Sequence, residues 1–137
     1  METKKKEYIL LKDLEVYQLS KKLSKIGWEM YDKLTWQDKK IMGDQFIEST
    51  DSIGSNIAEG YGRYHYLDRI KFYYTSRTSY MESKEHWLNL LLERKKISKD
   101  LFDEYENTGK KFLMKLNNFI AVTYRNKYEP KPDNNFN

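Results

Sequence analysis

With 137 residues, and 25 Lys and Arg against 21 Asp and Glu, the chain has the length of one domain and a formal charge of +4. It holds no Cys, which excludes disulfides, a thiol nucleophile and any Cys-ligated zinc or iron–sulfur centre. Apolar runs such as Leu90-Leu91-Leu92 are far too short to span a bilayer, and Tyr8-Ile9-Leu10-Leu11 ends at Lys12-Asp13 before a signal-peptide core forms. The expectation is a cytoplasmic protein without membrane partners. Charged residues make up 34% and Gly and Pro are few, which favours long solvated helices, while 15% aromatics, including twelve Tyr, argue against disorder.

The first helix is expected over about 13–34, where Val16, Leu19, Leu23, Ile26, Met30 and Leu34 recur at spacings of three and four. Asp13 is its expected N-cap. The second, about 35–61, opens with Thr35 as cap and Asp38 three residues on, and carries Met42, Phe46, Ile53 and Ile57 on one stripe. Gly60 and Gly62 are expected to close it in the left-handed conformation. The third, about 67–95, lines up Leu67, Ile70, Tyr74, Met81, Leu88 and Leu91, with Tyr73, Tyr80 and Trp87 alongside. The fourth, about 98–124, starts with Ser98 as N-cap and Ile97 and Phe102 as a hydrophobic staple; Tyr105, Phe112, Leu116, Phe119 and Ile120 continue its face. Both prolines, Pro130 and Pro132, fall within 128–137, read as a flexible tail after a single domain over 1–127; residues 1–7 are read as loose as well. No segment alternates with period two. Four long helices with short connections predict an all-α, antiparallel, up-down four-helix bundle.

Polar residues interrupt this pattern in the second and third helices. Gln45, Ser49, Ser52, Asn56 and Glu59 form one ridge beside the apolar stripe, with Gly54, Ser55 and Ala58 small enough to admit a neighbouring backbone. Arg77 falls between tyrosine pairs in the third helix, with Lys84 two turns on. A guanidinium there must reach solvent or a carboxylate, and Glu59 and Glu82 are the expected partners. These positions, Gln45, Asn56, Glu59, Arg77 and Glu82, are read first as structural or interface residues, with a ligand or RNA pocket around Asn56, Glu59 and Arg77 as the alternative.

Ser52-Ile53-Gly54-Ser55-Asn56-Ile57-Ala58-Glu59-Gly60-Tyr61-Gly62-Arg63 closely resembles the hallmark segment of the 23S rRNA intervening-sequence protein family, also called four helix bundle protein. Asp13-Leu14-Glu15-Val16-Tyr17 resembles the family's opening Asp-Leu-x-Val-Trp, and Gln45 matches its Gln before the hallmark. Arg77-Thr78-Ser79-Tyr80-Met81-Glu82 is similar to its Ala-Arg-Gly-Ser-x-x-Glu stretch, with Ser76 and Thr78 in place of Ala and Gly and a looser helix contact expected there. The resemblance implies a homopentamer of four-helix bundles with no established enzymatic activity. It also implies a genomic link to rRNA and a relationship to the basic, nucleic-acid-binding accessory proteins of diversity-generating retroelements.

The residues themselves offer little for catalysis. His65 and His86 are far apart in sequence, no Glu-x-x-His pair suggests a bundle metal site, and no nucleophile turn or phosphate-cradling loop is present. No metal, cofactor or catalytic residue is expected. Arg63, Arg69 and Lys71, interleaved with tyrosines, and Arg94, Lys95 and Lys96 at the third connection are the expected phosphate contacts. Lys110, Lys111 and Lys115 follow on the fourth helix. In a pentamer the charge of each chain would sum to about +20 per ring. The expectation is a non-enzymatic homo-oligomer that binds structured RNA or acts as a nucleic-acid-associated adaptor; the competing one is an oligomeric protein adaptor that uses Trp28, Trp36 and Trp87 at contacts and touches no nucleic acid.

Overall fold

The structure, a computed structural model, describes residues 9–127. The expected tail and the loose first residues lie outside that span. A 3-10 turn, Leu11–Asp13, leads into α1, Glu15–Asp32. Helix α2 (36–61) joins an α-helical turn, Trp36–Asp38, a π-helical segment, Lys39–Gly43, and an α-helix, Asp44–Tyr61. Helix α3 (66–93) has the same construction: Tyr66–Met81, a π-helical segment Glu82–Leu88, then Asn89–Glu93. Helix α4, Lys99–Asn126, has 28 residues and is about 42 Å long. Each helix packs on the next, and α4 returns to α1, so an up-down four-helix bundle closes with no strand among the described residues.

Local chemistry sets some of these ends. Thr35 Oγ1 accepts from Asp38 N–H at 3.2 Å, and Ser98 Oγ from Leu101 N–H at 3.2 Å, satisfying donors left over at the two N-termini. Asp13 does not cap α1; Leu14 holds that position with no side-chain bond and is buried. Burial of Leu14 against the core decides the entry of the chain there. The glycines after the hallmark do not turn left-handed either. Gly62 has φ −81°, and the chain closes through Arg63 N–H to Gly60 O at 3.0 Å. Gly60 serves packing instead: a Cβ there would lie 2.8 Å from Phe72 Cβ and 2.8 Å from Tyr73 Cε1. The left-handed residue is Lys95, φ 59°, after α3. Its N–H bonds Leu92 O and the next N–H, of Lys96, bonds Leu91 O, both at 2.9 Å, the paired pattern of a Schellman helix end.

Ser76 tightens the α2–α3 contact. It is fully buried, and its Oγ donates to Ile53 O of α2 at 2.7 Å. Helix α3 departs most from its expected stripe. Ile70, Tyr73, Ser76, Tyr80, Leu88 and Leu91 are buried, but Leu67, Tyr74 and Met81 are exposed. Met81 and Leu88 are seven residues apart, two α-turns, and would share a face in a regular α-helix. The intervening π segment has a wider turn and carries Leu88 into the core. It also brings Ser83 and Lys84 inside.

Those two polar groups are answered. Tyr105 Oη lies 2.8 Å from Ser83 Oγ and 2.9 Å from Thr50 Oγ1, linking α4 to α3 and α2. Burial pushes the Tyr105 phenol up to about 12, although both hydrogen bonds act to lower it. Tyr80 stacks on Tyr105 with ring centroids 6.3 Å apart and planes 7° from parallel, and its hydroxyl occupies the space a Gly109 side chain would need. Lys84 Nζ reaches Glu106 at 3.2 Å and Glu85 at 3.5 Å. Its nearer carboxylate partner therefore comes from α4 and the other from α3 itself.

Candidate nucleic-acid interface

The third and fourth helices divide sharply by charge. Residues 66–81 and 107–127 carry Arg69, Lys71, Arg77, Lys110, Lys111, Lys115, Arg125 and Lys127 against a lone Asp68. In antiparallel helices these stretches are neighbours: Tyr74 Oη lies 3.5 Å from Tyr124 Oη, and Arg77 Nη1 donates to Asn117 Oδ1 at 2.8 Å. The remaining stretch, 82–106, holds Lys84, Arg94, Lys95, Lys96 and Lys99, but seven carboxylates: Glu82, Glu85, Glu93, Asp100, Asp103, Glu104 and Glu106.

Pairing sharpens the contrast. At the acidic end Lys84 meets Glu106, Lys96 meets Asp38 at 3.2 Å, and Lys99 meets Asp103, while Arg94 and Lys95 are exposed with no carboxylate partner among the described residues. At the basic end Lys110 is 3.9 Å from Glu106 and Lys115 is 3.4 Å from Glu15 of α1. Lys71, Lys111, Arg125 and Lys127 are exposed and have no carboxylate partner among the described residues. Like charges left together in this way raise the local potential for an anion.

The six expected phosphate contacts therefore do not form one site. Arg63, Arg69 and Lys71 lie at the α2–α3 connection; Arg94, Lys95 and Lys96 lie at the far end of α3, about 40 Å away at 1.5 Å per residue. Within the first group Arg69 Nε donates to Arg63 O at 2.7 Å. The Arg63 guanidinium meets Glu59 at 2.6 Å and covers the Phe72 ring at 4.9 Å. In the second group Lys95 forms the Schellman turn and Lys96 is tied to Asp38.

The positions read as structural or interface residues are satisfied close to home. Asn56 Nδ2 donates to Ser52 O in its own helix at 2.8 Å, Trp87 Nε1 donates to Glu82 Oε2 at 3.0 Å, and Gln45 is exposed. Arg77 pairs with neither Glu59 nor Glu82. Its guanidinium lies over Tyr74 at 4.8 Å and bonds Asn117, because its side of α3 faces α4. Asn117, Arg125 and Lys127 were not among the expected site residues. The available signal was the absence of any Asp or Glu between Asn107 and Lys127.

Two other surface features stand apart from this face. Between α1 and α2 an open groove of about 270 Å³ is lined by Tyr17, Ser20, Lys21, Ser24, Asp51, Gly54, Ser55 and Ala58. Gly54 makes room there for Ser20 of α1, whose Oγ would lie 2.8 Å from an added Cβ. At the α1–α2 turn Trp28, Trp36 and Ile41 are exposed, Trp36 at 71%, with Lys40 Nζ 4.4 Å from the Trp36 ring centroid. Among the described residues no group of acids and histidines is arranged to hold a metal ion, and no helix is long and apolar enough to cross a membrane.

The architecture and this surface define a four-helix bundle with a one-sided basic face. The model of the 23S rRNA-intervening sequence protein family matches residues 12–118, and the chain belongs to that family. Its fold is similar to the crystal structure of a protein of unknown function from the S23 ribosomal protein family of Bacteroides thetaiotaomicron. That likeness has a TM-score of 0.70 at 24% identity, over 77% of this chain and 97% of the other. No curated protein matches the chain.

Proposed function

We propose that the protein is a non-enzymatic, homo-oligomeric, RNA-associated binding protein that holds the polyanion on the basic face of α3 and α4. The observation that carries the reading is the single acid among nine charged residues in 66–81 and 107–127, beside the compensated charges of 82–106. Cations without carboxylate partners are free to displace the counterions condensed on a phosphate backbone, which is the main source of sequence-independent affinity. Arg63 and Arg69 extend this face around the α2–α3 connection.

Assembly into a homo-oligomer, a homopentamer by resemblance to the family, would repeat the face around a ring. The groove of small side chains beside the hallmark segment and the exposed Trp28, Trp36 and Ile41 supply surface suited to contacts between copies. The same tryptophans favour the second reading, a scaffold for another protein with no direct nucleic-acid contact.

Salt separates the two. RNA copurified from cells and then titrated in vitro should leave the protein steeply as salt rises from 50 to 200 mM, by about a thousandfold or more for six phosphate contacts. An affinity that ignores salt, or RNA recovered only as bulk background, would favour the scaffold. A particle mass equal to that of one chain would exclude the oligomer.

A further inference from the structure

The basic face carries aromatic rings in its middle, and this points to the form of polynucleotide it fits. Tyr74 and Tyr124 are 37% and 39% exposed although both are large aromatic side chains, and they meet hydroxyl to hydroxyl across the α3–α4 seam. The guanidinium carbon of Arg77 lies 4.8 Å from the Tyr74 ring centroid, and its Nη1 donates to Asn117 Oδ1. The seam thus gathers two exposed phenol rings and one planar cation, with Lys71 one turn from Tyr74 on α3 and Arg125 next to Tyr124 on α4, neither with a carboxylate partner among the described residues.

A duplex has no use for such a platform. Its bases are already stacked on one another, and only its phosphates and groove edges are presented to a protein. An unpaired strand exposes base faces, which stack on aromatic rings and guanidinium planes with little regard to sequence. We infer that the α3–α4 seam binds single-stranded polynucleotide, with bases stacked on Tyr74, Tyr124 and the Arg77 guanidinium while Lys71 and Arg125 neutralise the flanking phosphates. This rests on the nucleic-acid reading above and specifies the ligand of that same face.

The packing around the seam makes it testable without unfolding the bundle, because the hydrophobic core passes beneath it through Tyr73, Tyr80, Phe112 and Leu116. An unstructured mixed-sequence RNA strand and the duplex it forms with its complement would be titrated in parallel against the full-length protein, by fluorescence anisotropy at constant moderate salt. The single strand should bind about tenfold or more tightly than the duplex. Tyr74→Ala with Tyr124→Ala should remove that preference and leave duplex binding as it was, since only unpaired bases stack on the rings. Tyr74→Phe with Tyr124→Phe should restore it, because the rings remain. Equal affinity for the two RNAs, or equal weakening of both by the alanine pair, would overturn the stacking inference and leave the phosphate-binding face standing. A fall in particle mass for the alanine pair would also overturn it, by making the seam a contact between copies. Failure of the wild-type protein to bind either RNA at low salt would remove the nucleic-acid reading itself.

Discussion

The two ends of the α3–α4 pair are made from the same helices and share one core, yet treat their charges in opposite ways. Toward Arg94, three of the five cations are matched to carboxylates, Lys84 with Glu106, Lys96 with Asp38 and Lys99 with Asp103, while Arg94 and Lys95 are not. Toward Tyr74 and Tyr124, several cations have no such partner and the rings between them are exposed. Salt bridges that hold a helix pair together need both signs. The basic stretches hold eight cations against one acid, so their own charges repel more than they attract.

The sharpest break in that comparison lies at the junction of the two ends, where Gly109 meets Tyr80. A Cβ at Gly109 would sit 1.9 Å from Tyr80 Oη, so Gly109→Ala must displace a fully packed tyrosine. Overpacking of this kind costs roughly 1–3 kcal/mol or more, which denaturant unfolding would register. Tyr105→Phe comes next. It removes the hydroxyl shared by Ser83 and Thr50 at the acidic end and should cost about 1–3 kcal/mol through the two polar groups left behind. The same buried phenol predicts a pH effect. Burial holds its folded pKa at about 12, above the ordinary 10.0 of a phenol, so its contribution is complete below pH 10 and is lost as pH rises toward 12. Burial raises Tyr73 and Tyr80 in the same direction. The melting temperature should accordingly fall above pH 10, and less steeply in Tyr105→Phe.

At the basic end, effects should appear in binding and spare the fold. Lys71→Glu with Lys111→Glu reverses two exposed, uncompensated charges. We expect at least tenfold weaker RNA binding at low salt, a shallower salt dependence by about four phosphate-equivalents of charge change at most, and an unchanged melting temperature. The smallest effect belongs to Lys95→Gly at the acidic end. A glycine accepts φ 59° without the steric cost borne by Lys95, so the variant should gain roughly 0.5–1 kcal/mol, reduced by its looser unfolded chain. No change in RNA affinity should accompany it.

Much of this architecture was legible in the spacing of apolar residues. The stripes of α1 and α2 survive in the core, and Thr35 and Ser98 cap where their hydroxyls can reach. Helix α3 was legible only in part. A period of 3.6 places Leu67, Tyr74, Met81 and Leu88 in line, and nothing in that period announces a π segment. The segment becomes intelligible only once Ser83 finds Tyr105, and Lys84 finds Glu106, on a different helix. Arg77 shows the same limit, since its polar partner, Asn117, lies forty residues away and is uncharged. The candidate face was present as a run of α4 without acids, but its meaning required knowing which stretch of α3 lies beside it.

Ultraviolet crosslinking of the full-length protein to unstructured RNA, followed by mass spectrometry of the adducted peptides, tests the central claim most directly. Adducts concentrated within 66–81 and 107–127, with Tyr74 and Tyr124 among the modified residues, are the predicted result. Adducts concentrated on Arg94, Lys95 and Lys96 would contradict it, because they would place the polyanion at the end of the bundle where carboxylates outnumber cations seven to five.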